Sequence, residues 1–394
     1  GAVIGFLLSC TAVMGADDNY LWIKEDSEGI KFSTDSTTGD NGEWTTANPY
    51  SNNNWDTATK TYTNNTLLSS SAANGKDRYN ENISHGLRLS GDLTNVNFVN
   101  NGSVIGTISS SSNAGYGIYN EASKMGNIEN AGVINGTGSS GTGYGIYNSG
   151  TMGNITNIGI ISGSGTSSAS ANGSGIYNYN STKIGDITNT GVISAFANGS
   201  GPSPSKGYGI SNYSSSTMKN IINTGVINGY SYNTGYGIYN DVACEMGNIT
   251  NTGIISGSGT SSGYGISSEG SRAEIKVITN TGVIYGKNSA ITAKSDGTID
   301  TVDNYGILAT DGDEVVYNNN GNISTKNNYG LYIEKDGKIT LGQAISSPTQ
   351  VVVGYDKDGE EITKSMTIRN ATLIGTPGKA TETESFLLAG EVEK

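Results

Sequence analysis

The chain has 394 residues, of which 58 are glycine and only 5 proline, and 14% are charged where ~25% is usual. Glycine follows no three-residue period, which excludes collagen, and the low charge argues against a charge-expanded disordered tail. A net charge of −13, a single histidine and no cluster of Lys and Arg make nucleic acid and anionic membrane surfaces poor partners.

Residues 1–16 read as part of a secretory signal. An apolar stretch through Leu8 is followed by small residues and then by Asp17 and Asp18, and the run is too short to span a bilayer. Cleavage after Ala16 would leave Cys244 as the one cysteine, so no intramolecular disulfide could form, which suits a chain that crosses an envelope unfolded. A rival reading takes Leu7-Leu8-Ser9-Cys10 as similar to a lipoprotein processing box, with Cys10 lipidated. Residues 17–82 hold all three tryptophans, Trp22, Trp44 and Trp55, and read as an N-terminal cap of short strands with turns near Thr38 to Gly42 and Asn48 to Asn54.

From residue 83 the sequence repeats itself. The hexapeptide GYGIYN begins at Gly115, Gly143 and Gly235, with variants at Gly173, Gly207 and Gly263, so that successive starts lie 28, 30, 34, 28 and 28 residues apart. Between them runs a second phrase, GNIENAGVING from Gly126, GNITNIGIISG from Gly153, GDITNTGVIS from Gly185 and GNITNTGIISG from Gly247. Worn copies continue it at Asn220 and Val277, and NYGILA at Asn304 and NYGLYI at Asn328 resemble worn hexapeptides.

Each unit has three apolar beats, such as Ile118, Ile128 and Ile134, in short β-rich runs bounded by Gly, Asn or Ser, and no 3.6-residue period. Three short strands per unit predict an all-β fold, a right-handed parallel β-helix of about ten coils stacked ~4.8 Å apart over residues 83–345. Alternation puts Ile118 inward and Gly117 and Tyr119 outward. Asn130, Asn157, Asn189, Asn223, Asn251 and Asn280 then form an internal ladder at a turn, each amide satisfying the next. The glycines that follow, Gly132, Gly159, Gly191, Gly225, Gly253 and Gly282, suit tight corners with positive φ. Residues 346–394 form a C-terminal hairpin, cap or linker, with QVVVGYD and EEITKSMTIR joined by a Lys-Asp-Gly turn.

Sites of chemistry are few. Cleavage of polysaccharide needs paired carboxylates or a carboxylate beside Arg or Lys. The best acidic group is Asp300, Asp303, Asp311, Asp313 and Glu314, read as a solvated surface or a weak cation site before a catalytic pair. His85 lacks a Ser or Cys phrase and reads as structural or exposed, and Cys244 as inert. Asp356-Lys357-Asp358-Gly359 starts like a calcium loop but has Thr367 at the twelfth position, which favours a hairpin turn. No catalytic residue, metal site or cofactor is therefore expected. The candidate binding residues are aromatic: Tyr119, Tyr147, Tyr177 and Tyr239 along one outward face, interrupted by Ser211 and Ser267, with Tyr230 and Tyr232 in a loop. An alternative reading is that the tyrosine row only stabilises the rod from rung to rung. The insertion Ala195 to Lys206, with Pro202 and Pro204, lies at the loop equivalent to that of Tyr230 and Tyr232.

The recurring GNITNTGxISG and GYGIYN phrases, after a signal-like start and in a chain nearly free of cysteine, resemble the passenger region of a Gram-negative type V autotransporter. The resemblance covers residues 1 to about 345. It implies export to the bacterial cell surface, outer membrane or medium and a C-terminal outer-membrane barrel, of which nothing after Ile345 has the pattern. It also implies an adhesin whose partner is a glycan or protein on a host or neighbouring cell. No GDSGS-type serine-protease phrase is present, which favours a non-enzymatic passenger. A lipid-anchored or secreted structural solenoid and a polysaccharide-active β-helix are the alternatives.

Overall fold

The computed structural model describes residues 19–34, 43–76, 82–108, 114–167, 171–199 and 204–343, and the backbone of short strands beyond them. Cys10 and the Asp356–Gly359 loop lie outside the described residues.

One unit shows how the sequence makes a coil. The hexapeptide strand Ala114–Asn120 passes through the short strand Lys124–Met125 to Ile128–Asn130, turns at Gly132, and runs on as Val133–Gly138 before the next hexapeptide strand, Thr142–Asn148. The three main strands of the unit pair in parallel with their equivalents one coil before and after, so Ile118 meets Ile146, Ile128 meets Ile155 and Ile134 meets Ile161. The result is a parallel β-solenoid with three long sheets of 12, 15 and 11 strands. We call them the tyrosine sheet, the charged sheet and the neutral sheet, in the order the chain visits them. The last strand of the neutral sheet, Ile339–Leu341, pairs antiparallel, and the ten before it mark ten coils.

The coils begin earlier than residue 83. Leu21–Asp26, Thr61–Asn64 and Leu67–Ser70 already pair in parallel with the strands of the next coil and form the first coil themselves. The tryptophan-bearing region is thus both first coil and cap. Antiparallel returns cover its open edges, Gly29–Ser33 on the tyrosine sheet and Asn54–Asp56 on the charged sheet, removing strand edges that would otherwise invite pairing with another chain. Trp22 packs edge-on to Trp44 at 5.1 Å, and Phe32 edge-on to Trp55 at 5.5 Å. Beyond the coils, Thr349–Tyr355 and Glu361–Ile368 form the expected antiparallel hairpin.

Inside the rod, one isoleucine-rich core runs through the coils, with Ile118, Ile128, Ile134 and their isoleucine equivalents fully buried. Beside it the predicted asparagine ladder is present and longer than the repeats suggested. It starts at Asn64 and Asn100, takes in the six predicted residues, and ends at Asn304 and Asn328. Each Nδ2 donates to the next Oδ1 at 2.7–2.8 Å. The same nitrogen reaches backbone carbonyls at the corner, as Asn157 does to Gly159 and Val192 at 3.1 Å each. Buried amides are thereby satisfied by each other and by the turn they hold. A second column, formed by the last residue of the hexapeptide, links Asn120, Asn148, Asn178, Asn212 and Asn240 at 2.6–3.0 Å.

The corner glycines correct one expectation. None of Gly132, Gly159, Gly191, Gly225, Gly253 and Gly282 has positive φ; among the described glycines only Gly29, Gly91, Gly270 and Gly337 do. Their role is close approach. A Cβ on Gly191 would lie 2.1 Å from the carbonyl oxygen of Gly159 in the coil before, because corner backbone stacks directly on corner backbone.

Candidate functional site

The outer surface of the tyrosine sheet is set by a break in alternation. Gly117 was expected to face outward, but a Cβ there would sit 2.7 Å from a methyl of the core residue Ile134, so Gly117 and Ile118 both face inward. Two successive inward residues put Tyr116 and Tyr119 on the same outer side, their rings 5.0 Å apart. The repeat therefore carries two tyrosine columns where alternation alone predicts one. Tyr116, Tyr144, Tyr208, Tyr236 and Tyr264 make the first, and Tyr119, Tyr147, Tyr177 and Tyr239 the second. Tyr179 and Tyr213 add a short third.

Rings from Tyr116 to Tyr264 form one connected stack with centroids 4.7–6.4 Å apart. Serines interrupt it, and neighbouring rings fill two of the gaps. At Ser174, Tyr177 leans to 4.9 Å from Tyr144; at Ser211, Tyr213 stands 5.7 Å from Tyr177 and 6.0 Å from Tyr239. Those two serines also lie within hydrogen-bond reach of each other at 3.3 Å. At Ser267 no ring moves in, and the hydroxyls of Ser267 and Ser268 have no partner. Cations close both ends of the stack. Arg88 lies over Trp22 and Tyr119 and pairs with Glu121 at 2.6 Å, while Lys294 lies 3.5 Å above the Tyr264 ring.

The predicted row is outward but is not an open surface: Tyr119, Tyr147 and Tyr239 are buried and Tyr177 is half-buried. Burial raises the hydroxyl pKa of Tyr144, Tyr177, Tyr208, Tyr236 and Tyr239 above the ordinary value, with neighbouring tyrosines adding to the effect and Asp241 acting on the last of them. Tyr213 is pushed up to about 12 in the same way. His85 stands one rung below Tyr116, fully buried and edge-on to Tyr20, and burial holds its pKa well below the usual value, next to the charge of Arg88.

Tyr230 and Tyr232 lie elsewhere, on the neutral sheet and at the corner that leaves it. Phe196 and Tyr230 are register partners and stack nearly parallel, 5.7 Å apart at 7°. Tyr232, two residues on, is 54% exposed. Sequence reasoning named the tyrosines but missed Phe196, whose signal was its place in the same repeat position as Tyr230.

The neutral sheet itself is the least expected surface. None of its strands, from Leu67–Ser70 to Ile339–Leu341, contains Asp, Glu, Lys or Arg. The charges of the repeat lie instead on the charged sheet and its approaches, as with Lys124, Glu129, Lys183, Asp186 and Glu274, and on the tyrosine sheet, as with Arg88, Lys206, Glu269 and Lys294. Along the edge where the chain enters the neutral sheet, the first outward residue is apolar in eight consecutive coils, from Val133 and Ile160 through Val192, Val226, Ile254, Val283 and Ile307 to Leu331. Ile254 on this line and Ile158 at the corner before it are among the most exposed large apolar side chains.

The acidic residues do not converge. Asp300 and Asp303 lie on the charged sheet, the first 4.0 Å from Lys276 and the second accepting from Asn327 at 2.8 Å. Asp311 accepts from the Tyr285 hydroxyl at 2.8 Å, and Asp313 faces Lys335 at 3.6 Å, both at the corner after the neutral sheet. Among the described residues no three His, Cys, Asp or Glu side chains come together as metal ligands. Cys244 is buried, accepts from the Ser216 amide, and burial raises its thiol to about 11, which leaves it protonated and unreactive at neutral pH. Set against protein-family models, curated proteins and solved structures, the chain matches none of them.

Proposed function

We propose that this chain is a rod that presents a binding surface outside the cell, the passenger region of a type V autotransporter acting as an adhesin. The observation that carries the reading is the aromatic corner. Phe196 and Tyr230 form a stacked pair of rings whose outer faces have only Ser164 and Ser258 as register neighbours, Tyr232 stands exposed beyond them, and the sheet beneath bears no charge. Flat hydrocarbon faces with a nearby hydroxyl, on an uncharged support, suit stacking against the ring of a neutral sugar. The repeat phrases and the scarcity of cysteine support export and display.

The test is attachment of the purified rod to glycan-bearing cells and to immobilised neutral glycans. Replacing Phe196, Tyr230 and Tyr232 together by Ala should weaken attachment at least about tenfold, the equivalent of ~1.4 kcal/mol. The β circular-dichroism signal should stay the same, since the three side chains lie outside the core. Undiminished attachment by the triple variant would sink this surface as the binding site.

A further inference from the structure

The aliphatic line on the neutral sheet lies on the edge opposite to the aromatic corner and asks for a different partner. It runs through eight consecutive coils, which at ~4.8 Å per coil is a stripe about 34 Å long. Beside it on the same face stand small uncharged side chains, Asn135, Ser162, Ser194, Asn228 and Ser256. A six-residue strand is about 20 Å across, so the face offers roughly 600 Å², half of the ~1,200 Å² at which specific interfaces begin. An aliphatic line unbroken over eight coils, flanked by uncharged side chains, marks a contact site.

We propose that this face is where two copies of the chain meet. Three features select a second copy. With a net charge of −13, two rods repel through any charged side, and the neutral sheet is the one face that carries none. A ridge that repeats with every coil fits best against a surface of the same period, and another copy of this solenoid supplies that period along the whole stripe. A two-fold axis along the strand direction lays stripe on stripe with the rods antiparallel, the closed and self-complementary arrangement that limits assembly to a dimer. The sheets then pack face to face at about 10 Å, with Val192, Val226 and Ile254 at the centre.

Sedimentation equilibrium of the purified chain across the micromolar range tests this. A monomer–dimer equilibrium is expected. Val192→Lys with Val226→Lys places like charges at the centre of the stripe on half-buried, outward positions, and should raise the dissociation constant at least tenfold while the β spectrum stays unchanged. Tyr232→Lys, on the opposite edge, should leave the dimer intact. A monomer at every concentration, a dimer that survives the double substitution, or one that only Tyr232→Lys disrupts would each overturn the proposal. Self-association does not depend on the glycan-binding reading: Phe196 and Tyr230 stand four residues along the same outward face from Val192 and Val226, so their alanine variants should weaken the dimer less than the lysine pair does, whatever they do to attachment.

Discussion

The asparagine column inside the rod runs unbroken through ten coils, whereas the tyrosine columns outside it are interrupted at Ser174, Ser211 and Ser267. The difference follows from what each position can fall back on. An inward amide has no water to turn to, so a missing neighbour leaves a donor or acceptor unpaired at about 1–3 kcal/mol each. An outward ring that loses its neighbour meets another ring that can lean across, as Tyr177 and Tyr213 do. Inside, the repeat must be copied faithfully; outside, it can drift.

Backbone packing is the strictest part of the interior and gives the largest expected effect. Gly191→Ala would set a methyl against a corner backbone that cannot yield without parting two coils, since the Gly159 carbonyl is 2.1 Å from the added atom. A loss of about 3 kcal/mol or more is expected. Hydrogen exchange should show it as loss of protection in the coils on either side, because a solenoid is held by nearest-neighbour terms and can open locally. Protection equal to that of the parent chain would show that the corner can shift after all. Asn189→Leu comes next. It strands the Asn157 donor and the Asn223 acceptor, whose bonds to Asn189 are 2.7 and 2.8 Å, and should cost about 3 kcal/mol. The matching exterior change, Tyr177→Leu, removes stacking worth about 1 kcal/mol. If denaturation finds the two equal, the contrast between inside and outside is wrong.

Alkali probes the exterior as a whole. Tyr144, Tyr177, Tyr208, Tyr213, Tyr236 and Tyr239 of the stack, like Tyr62 in the first coil, have folded pKa values above the ordinary 10.0, with Tyr62 and Tyr213 at about 12. A group whose pKa is raised by folding contributes stability that is complete below its unfolded pKa and lost as pH rises through the folded value. The rod should therefore hold constant stability up to about pH 10 and lose it between pH 10 and 12, phenolate absorbance rising together with loss of β signal. Ionisation of these six tyrosines near 10 with the strands intact would mean that their hydroxyls reach water.

Much of this fold could be read from the sequence because the interior is copied so closely. The three beats per unit, the six central asparagines and the inward isoleucines all followed from spacing. What spacing could not reveal were departures from simple alternation. The double inward step at Gly117 and Ile118 hid the Tyr116 column, and stacked corner backbones require glycine for space where a turn rule suggests positive φ. The first coil was hidden because Leu21–Asp26, Thr61–Asn64 and Leu67–Ser70 lack the repeat phrases and are separated by the capping returns. Of the candidate binding residues, Tyr230 and Tyr232 stand at an exposed aromatic corner, whereas Tyr119, Tyr147 and Tyr239 are packed into the stack. The neutral sheet escaped notice because its signal is an absence of charge spread over eleven separate strands.

The smallest predicted effect lies where interior and exterior columns fail together. The second asparagine column stops at Asn240, and its next rung is Ser268, a buried hydroxyl without a partner; beside it Ser267 ends the second tyrosine column, and its hydroxyl is unpartnered too. If unbroken amide pairing is what the interior requires, Ser268→Asn should extend the column by accepting from Asn240 Nδ2, which already reaches the Cys244 and Glu274 carbonyls at 3.1 and 3.0 Å. A gain of about 1 kcal/mol is expected, with slower exchange confined to the adjoining coils. Ser267→Tyr extends the exterior column at the same level, beside a Tyr264 ring that already has the Lys294 ammonium over one face. The asparagine should therefore stabilise more than the tyrosine. The reverse order would mean that ring stacking outweighs amide pairing in holding successive coils together.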